Sequence, residues 1–130
     1  MKQLIAALAL TFAFAGNALA LDKEPFTEAR FAALQAAGEV VLIDIFADWC
    51  STCKKQQEIL QQYRAANPDK TFYILEVNFD TDKQLVRKLR APRQSTLLLY
   101  SGENQFWYSV AETRPEVIGA ELDKAIKASL

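Results

Sequence analysis

The stretch Val40-Val41-Leu42-Ile43-Asp44-Ile45-Phe46-Ala47-Asp48-Trp49-Cys50-Ser51-Thr52-Cys53-Lys54 decides the fold. Its first seven residues are a nearly continuous apolar run, the pattern of a strand buried on both faces of a sheet. Asp44 is the one charged residue within that run. A helix is expected to begin near Cys50 and to reach about Ala66, with Ile59, Leu60 and Tyr63 inward and Asn67-Pro68 as the stop. The two cysteines thus follow a buried strand and open a helix. At that position the unpaired N–H groups and the positive dipole end favour a thiolate at Cys50, and Cys53, one turn later, can close a disulfide with it. Zinc is disfavoured, because it asks for four ligands and the chain holds no further cysteine and no histidine. A purely structural disulfide is also poorly served here: a four-residue loop contributes about 2 kcal/mol, against about 4 for a loop of sixty residues. The contrast favours a redox-active pair over a static staple.

Outward from this stretch, helices and strands alternate. Thr27 to Ala37 has helical period, with Phe31 and Leu34 inward and Gly38 as stop. Thr71 to Phe79 reads as the next strand. Thr81-Asp82-Lys83-Gln84 fits a capping box before a short helix with Leu85, Val86 and Leu89 on its inner face. Thr96 to Tyr100 and Gln105 to Ala111 read as strands joined through Ser101-Gly102-Glu103-Asn104. A second capping box, Thr113-Arg114-Pro115-Glu116, opens a last helix whose Ile118, Leu122, Ala125 and Ile126 share one stripe. The expected order is α-β-α-β-α-β-β-α, with a possible short strand within Leu21 to Phe26. That pattern predicts an α/β fold in which a mixed central sheet carries helices on both faces.

The first twenty residues are expected to stand apart. Met1-Lys2-Gln3 is a positive start, Leu4 to Ala15 is apolar apart from Thr11, and Ala18-Leu19-Ala20 offers small residues at a cleavage site. Residues 1–20 therefore read as a secretory signal peptide and residues 21–130 as the folded domain, exported to the periplasm. The apolar run is shorter than the roughly 20 residues that a membrane span needs, so the cleaved chain is not expected to span one. An uncleaved N-terminal anchor is the other reading. Among all 130 residues, 15 Lys+Arg against 16 Asp+Glu give a net charge of −1, and there is no histidine. Near-neutrality gives no electrostatic reason to expect nucleic-acid binding. Missing imidazole removes Ser-His-Asp and Cys-His catalysis and leaves thiol, carboxylate and hydroxyl chemistry. The basic stretch Lys83, Arg87, Lys88, Arg90 and Arg93 suits the end of a helix whose start follows Asp80 and Asp82. Arg90 and Arg93, beyond that helix, are candidate partner contacts.

The chain resembles the thioredoxin family over about Phe26 to Leu130. The resemblance rests on Val41 to Cys50, Cys53-Lys54, Val77-Asn78-Phe79-Asp80 and Thr96-Leu97-Leu98-Leu99. Ala47-Asp48-Trp49-Cys50 with Cys53-Lys54 is especially similar to the periplasmic C-terminal domain of transmembrane thiol:disulfide interchange proteins. This resemblance implies the thioredoxin-like fold and exchange with protein disulfides through a mixed disulfide, with no bound cofactor and no metal. It makes Cys50 the attacking thiol and Cys53 the resolving thiol of a redox-active disulfide, and Asp44 the proton acceptor for Cys53. Independently, an unpaired carboxylate buried at position 44 should have a raised pKa; the alternative is a side chain facing solvent at a strand end. Glu76 stands where the family usually carries a lysine, and either raises the Asp44 pKa further or faces water.

Two departures bear on substrate docking. The family's cis-proline before Thr96 is absent: the loop reads Arg93-Gln94-Ser95, and its nearest proline is Pro92. A cis bond at Ser95 would cost about 3–4 kcal/mol, so a trans peptide and a rearranged loop are expected. Arg93, Gln94 and Ser95 are nonetheless the candidate substrate-binding residues, since the family lays an extended peptide along this loop. Trp49 joins them as a candidate surface aromatic beside the thiols, ordinary packing being its other reading. Ala111 replaces a glycine that the family carries on the facing loop. Ser51-Thr52 supplies no cation and Asp48 opposes a thiolate, so the reduced protein is expected to be a reductant rather than a strong oxidant. In an oxidising compartment it would need a membrane electron donor. The competing reading is a thioredoxin-fold binding module that holds a partner protein or a metal at the cysteine pair with little exchange.

Overall fold

The computed structural model describes residues 22–130, so the proposed signal peptide lies outside the described residues. Thr27 starts the first helix, α1 (Glu28–Ala36), by accepting the Arg30 N–H at 3.1 Å on its hydroxyl. Gly38, at φ +73°, turns the chain into β2 (Val40–Phe46). All seven β2 residues except Phe46 are buried, as a strand with neighbours on both edges and both faces must be. α2 (Ser51–Ala66) follows, and Asn67 closes it. The remaining elements are β1 (Glu24–Pro25), β3 (Tyr73–Asn78), α3 (Lys83–Lys88), β4 (Thr96–Ser101), β5 (Asn104–Val110) and α4 (Pro115–Ala128).

These strands form one sheet in the order β1-β3-β2-β4-β5. β1, β3 and β2 are parallel, and β4 and β5 add antiparallel beyond β2. Side chains alternate across the sheet and build two cores. Val40, Leu42, Ile74, Leu97 and Leu99 pack under α2 and α4 against Ile59, Leu60, Ile118 and Leu122. Val41, Ile43, Ile45, Leu75 and Val77 pack on the opposite face against Leu34 of α1 and Val86 of α3. The mixed sheet flanked by helices is the fold expected from the sequence.

Neither capping box forms. α3 starts at Asp82 without a side-chain cap, because the Asp82 carboxylate instead accepts the Asn78 N–H at 2.9 Å. α4 starts at Arg114, with Pro115 in its first turn, where the fixed φ suits helix entry and the absent N–H is not missed. No side chain caps α4, and the Glu112 carboxylate accepts the Arg114 N–H at 3.0 Å. At the hairpin, both strands run one residue further into the turn than expected. Ser101 pairs with Asn104, and Gly102 at φ +56° makes the reversal. Among the described residues no helix is long and apolar enough to cross a membrane.

Candidate functional site

Cys50 and Cys53 form a disulfide with their Cα atoms 5.3 Å apart. Cys50 is the N-cap of α2, and its Sγ accepts the Cys53 N–H at 3.0 Å. A sulfur in this position takes one of the orphan donors of the first turn and lies at the positive end of the helix dipole, so negative charge on it is favoured. Exposure separates the two sulfurs' residues: Cys50 keeps 6% of its surface and Cys53 only 1%. An incoming disulfide therefore meets Cys50 first. Ala47, Phe46 and Phe79 pack around the pair.

Asp44 lies on the α2 face of the sheet, fully buried, and neither carboxylate oxygen has a hydrogen-bond partner. Burial, opposed by the Lys23 charge and reinforced by Glu76, pushes its pKa up to about 7. Glu76 is its register partner on the parallel neighbour β3. That carboxylate does not simply face water. Lys23 reaches it at 3.0 Å, from the irregular segment before β1. A lysine thus does stand beside the buried Asp, delivered from another part of the chain than position 76. Lys23, Cys50, Cys53, Lys54 and Gln57 line a cleft of about 140 Å³.

Trp49 is a surface residue, 65% exposed, and its indole N–H donates to Asp80 at 2.8 Å. The bond fixes the ring beside the cysteines. Arg93 is exposed and Gln94 half-buried, whereas Ser95 is fully buried. Every peptide bond of the described residues is trans, and Ser95 takes φ +60°, in the left-handed region. Its polar groups are all engaged internally. The N–H donates to Ile45 O at 2.7 Å, the hydroxyl to Gln94 O at 2.6 Å, and the carbonyl accepts from Ala111 N at 2.9 Å. Whatever Ser95 contributes to docking comes through the loop's shape.

Ala111 mirrors it at φ +59°. An L-residue pays about 1–2 kcal/mol in this region, and glycine avoids most of that at some cost in chain entropy. Ala111→Gly is therefore expected to stabilise the oxidised protein by about 1 kcal/mol, read as a higher urea midpoint at unchanged slope.

Gln56 did not stand out in the sequence. It is fully buried on α2, and its side-chain amide donates to Ser95 O at 3.1 Å and to Glu112 O at 3.0 Å. The signal was present: position 56 falls on the stripe of Cys53, Ile59, Leu60 and Tyr63, where a polar residue demands partners. Lys23 carried no such signal, since it sits outside any periodic element. No group of three or more His, Cys, Asp or Glu among the described residues is placed to hold a metal ion.

The family model described as Thioredoxin matches residues 21–127. Thioredoxin of Chlamydia trachomatis is 32% identical over 84 residues, which cover 65% of this chain and 79% of that protein. Thioredoxin-2 of Saccharomyces cerevisiae is 30% identical over 70 residues, covering 54% of this chain and 65% of that one. Thiol:disulfide interchange protein DsbD of Klebsiella pneumoniae is 31% identical over 80 residues, covering 55% of this chain but 13% of that protein. The chain thus spans just under two thirds of the yeast relative and a small part of DsbD. Among solved structures, Trxlp from Edwardsiella tarda superposes with a TM-score of 0.71 at 37% identity, covering 78% of this chain and 98% of that one. The family match spans Asp44, Trp49 and both cysteines, and the chain belongs to the thioredoxin family.

Proposed function

We propose that the protein is an exported thiol–disulfide oxidoreductase that reduces disulfides in other proteins. The observation that carries this reading is the placement of Cys50 at the N-cap of α2 with Cys53 buried one turn behind it. In the reduced state the Cys50 thiolate attacks a substrate disulfide, forming a mixed disulfide and releasing one substrate thiolate. Cys53 then loses its proton to Asp44 and attacks Cys50 Sγ. The Cys50–Cys53 bond closes, the second substrate thiolate leaves, and two electrons have passed to the substrate. Asp44 suits the acceptor role because a carboxylate titrating near neutrality can both take and return a proton. Trp49 and the Arg93-Gln94-Ser95 loop form the docking surface.

Export is supported by the composition of residues 1–20, and it places the protein in an oxidising compartment. A reductant there depends on a membrane electron donor, a role for which the partial similarity to DsbD is the supporting hint. The reducing direction is supported by the sequence Ser51-Thr52, which puts no cation between the cysteines, and by Asp48 close before them.

Equilibration with glutathione buffers tests the proposal. The expected reduction potential lies near the thioredoxin value of about −270 mV, with the reduced protein cleaving the disulfides of insulin. A potential near −120 mV would make it an oxidant of folding proteins. An absence of exchange would leave a binding module.

A further inference from the structure

Gln56 joins three parts of the site that the chain itself keeps apart. It stands three residues after Cys53 on α2, and its single amide nitrogen donates to Ser95 O at 3.1 Å and to Glu112 O at 3.0 Å. Ser95 immediately precedes β4, and Ala111 and Glu112 immediately follow β5. Both segments lie at the sheet end where β2 runs out toward Cys50, since Thr96 pairs with Ile45 and with Val110. Each contains a non-glycine residue in the left-handed region, Ser95 at φ +60° and Ala111 at φ +59°. Such backbone persists only where its surroundings over-determine it. A proline ring would fix one of these loops covalently; here the fixing is done by hydrogen bonds, and two of them come from Gln56. Its Oε1 is buried without a partner, so the side chain is held there for its two donors.

We infer that Gln56 is a positioning residue that sets the Ser95 and Glu112 loops against the cysteine helix and thereby selects extended polypeptide disulfides over small ones. The inference rests on the oxidoreductase reading above. A small disulfide needs only an open path to Cys50. A polypeptide must also lie along the loops, and misplacement of a docking surface by a fraction of an ångström to an ångström costs rate steeply. In Gln56→Leu both donors go and the Ser95 and Glu112 carbonyls lose them, so the variant is expected to be less stable, while Ser95 O keeps the Ala111 N–H and the sheet pairing beside it is untouched.

The test compares Gln56→Leu with the unaltered protein on two substrates, insulin and oxidised glutathione, and follows amide hydrogen exchange in the oxidised state. The expected result is a loss on the order of 10-fold in kcat/KM for insulin, carried mainly by KM, with glutathione kinetics within about twofold and the reduction potential unchanged. Exchange at the Ser95 and Ala111 amides should speed up about 10-fold relative to the Leu97 amide in the strand. Gln56→Met, unbranched and without donors, gives the same comparison if the leucine variant does not fold. Equal losses on both substrates, or unchanged exchange at Ser95 and Ala111, would overturn the inference. Failure of the unaltered protein to cleave insulin would instead overturn the oxidoreductase reading, and amide exchange would still decide the loop-setting role.

Discussion

Cys53→Ser protein, reduced and mixed with a disulfide-bonded substrate, is expected to accumulate as a covalent adduct through Cys50, whereas Cys50→Ser protein should neither cleave the substrate nor be captured by it. The asymmetry follows from the geometry. Cys50 caps α2, retains the accessible edge of the pair and has the helix N–H groups to hold a thiolate. A serine hydroxyl at position 50 ionises far too weakly to attack sulfur, so turnover should fall by roughly 10³-fold or more. With serine at position 53 the first step proceeds and the second has no nucleophile. Non-reducing electrophoresis and mass spectrometry of the adduct read both outcomes. Adducts formed by the Cys50→Ser protein, through Cys53, would reverse the assignment of roles.

Asp44→Asn is expected to stabilise the oxidised protein at pH 8 while slowing resolution of the mixed disulfide. In the folded chain Asp44 titrates near 7, against 3.8 when unperturbed. Between these values the folded protein holds a proton that the unfolded chain has released, so the carboxyl makes folding progressively less favourable as pH rises from about 4 to 7, and the penalty is constant above that. For a fully buried group the penalty is on the order of 4 kcal/mol at pH 8 and under half of that at pH 5. The amide variant escapes it. Urea unfolding at the two pH values should therefore show a large gain at pH 8 and a small one at pH 5. Exchange kinetics should show the opposite sign: the variant lacks the acceptor for the Cys53 proton, and the rise in rate between pH 6 and 8 should flatten. A variant no more stable at pH 8 than at pH 5 would mean that Asp44 carries its charge in the fold without cost.

Much of this arrangement could be read from residues 40–54. A seven-residue apolar run broken only by Asp44 specifies a buried central strand, and a cysteine pair at the following helix start has few uses in a chain without histidine. The helix caps were harder, because Asp82 and Glu112 spend their carboxylates on backbone groups that no local pattern reveals. The charge environment of Asp44 was half legible. Glu76 was marked by the family resemblance, as the residue standing where a lysine is usual, but its partner Lys23 comes from an irregular segment whose position depends on tertiary docking. Gln56 shows the opposite situation: the helical stripe marked it as inward, yet the carbonyls that it serves belong to loops remote in sequence. The loss of the proline before Thr96 announced a changed loop, and its left-handed form at Ser95 emerged only in three dimensions.

The place of β2 in the middle of the sheet has a consequence for how this protein can change over evolutionary time. β2 is bonded along its length to β3 on one side and to β4 on the other, whereas β1 is two residues long and β5 lies at the rim with Phe106 and Tyr108 exposed. The thiols stand at the end of a beam clamped on both sides by hydrogen bonding along its length. Substitutions at the exposed β5 residues Phe106 and Tyr108 therefore leave the geometry of β2 alone. The surface offered at that rim can change in this way while the central strand that carries the cysteines keeps its neighbours.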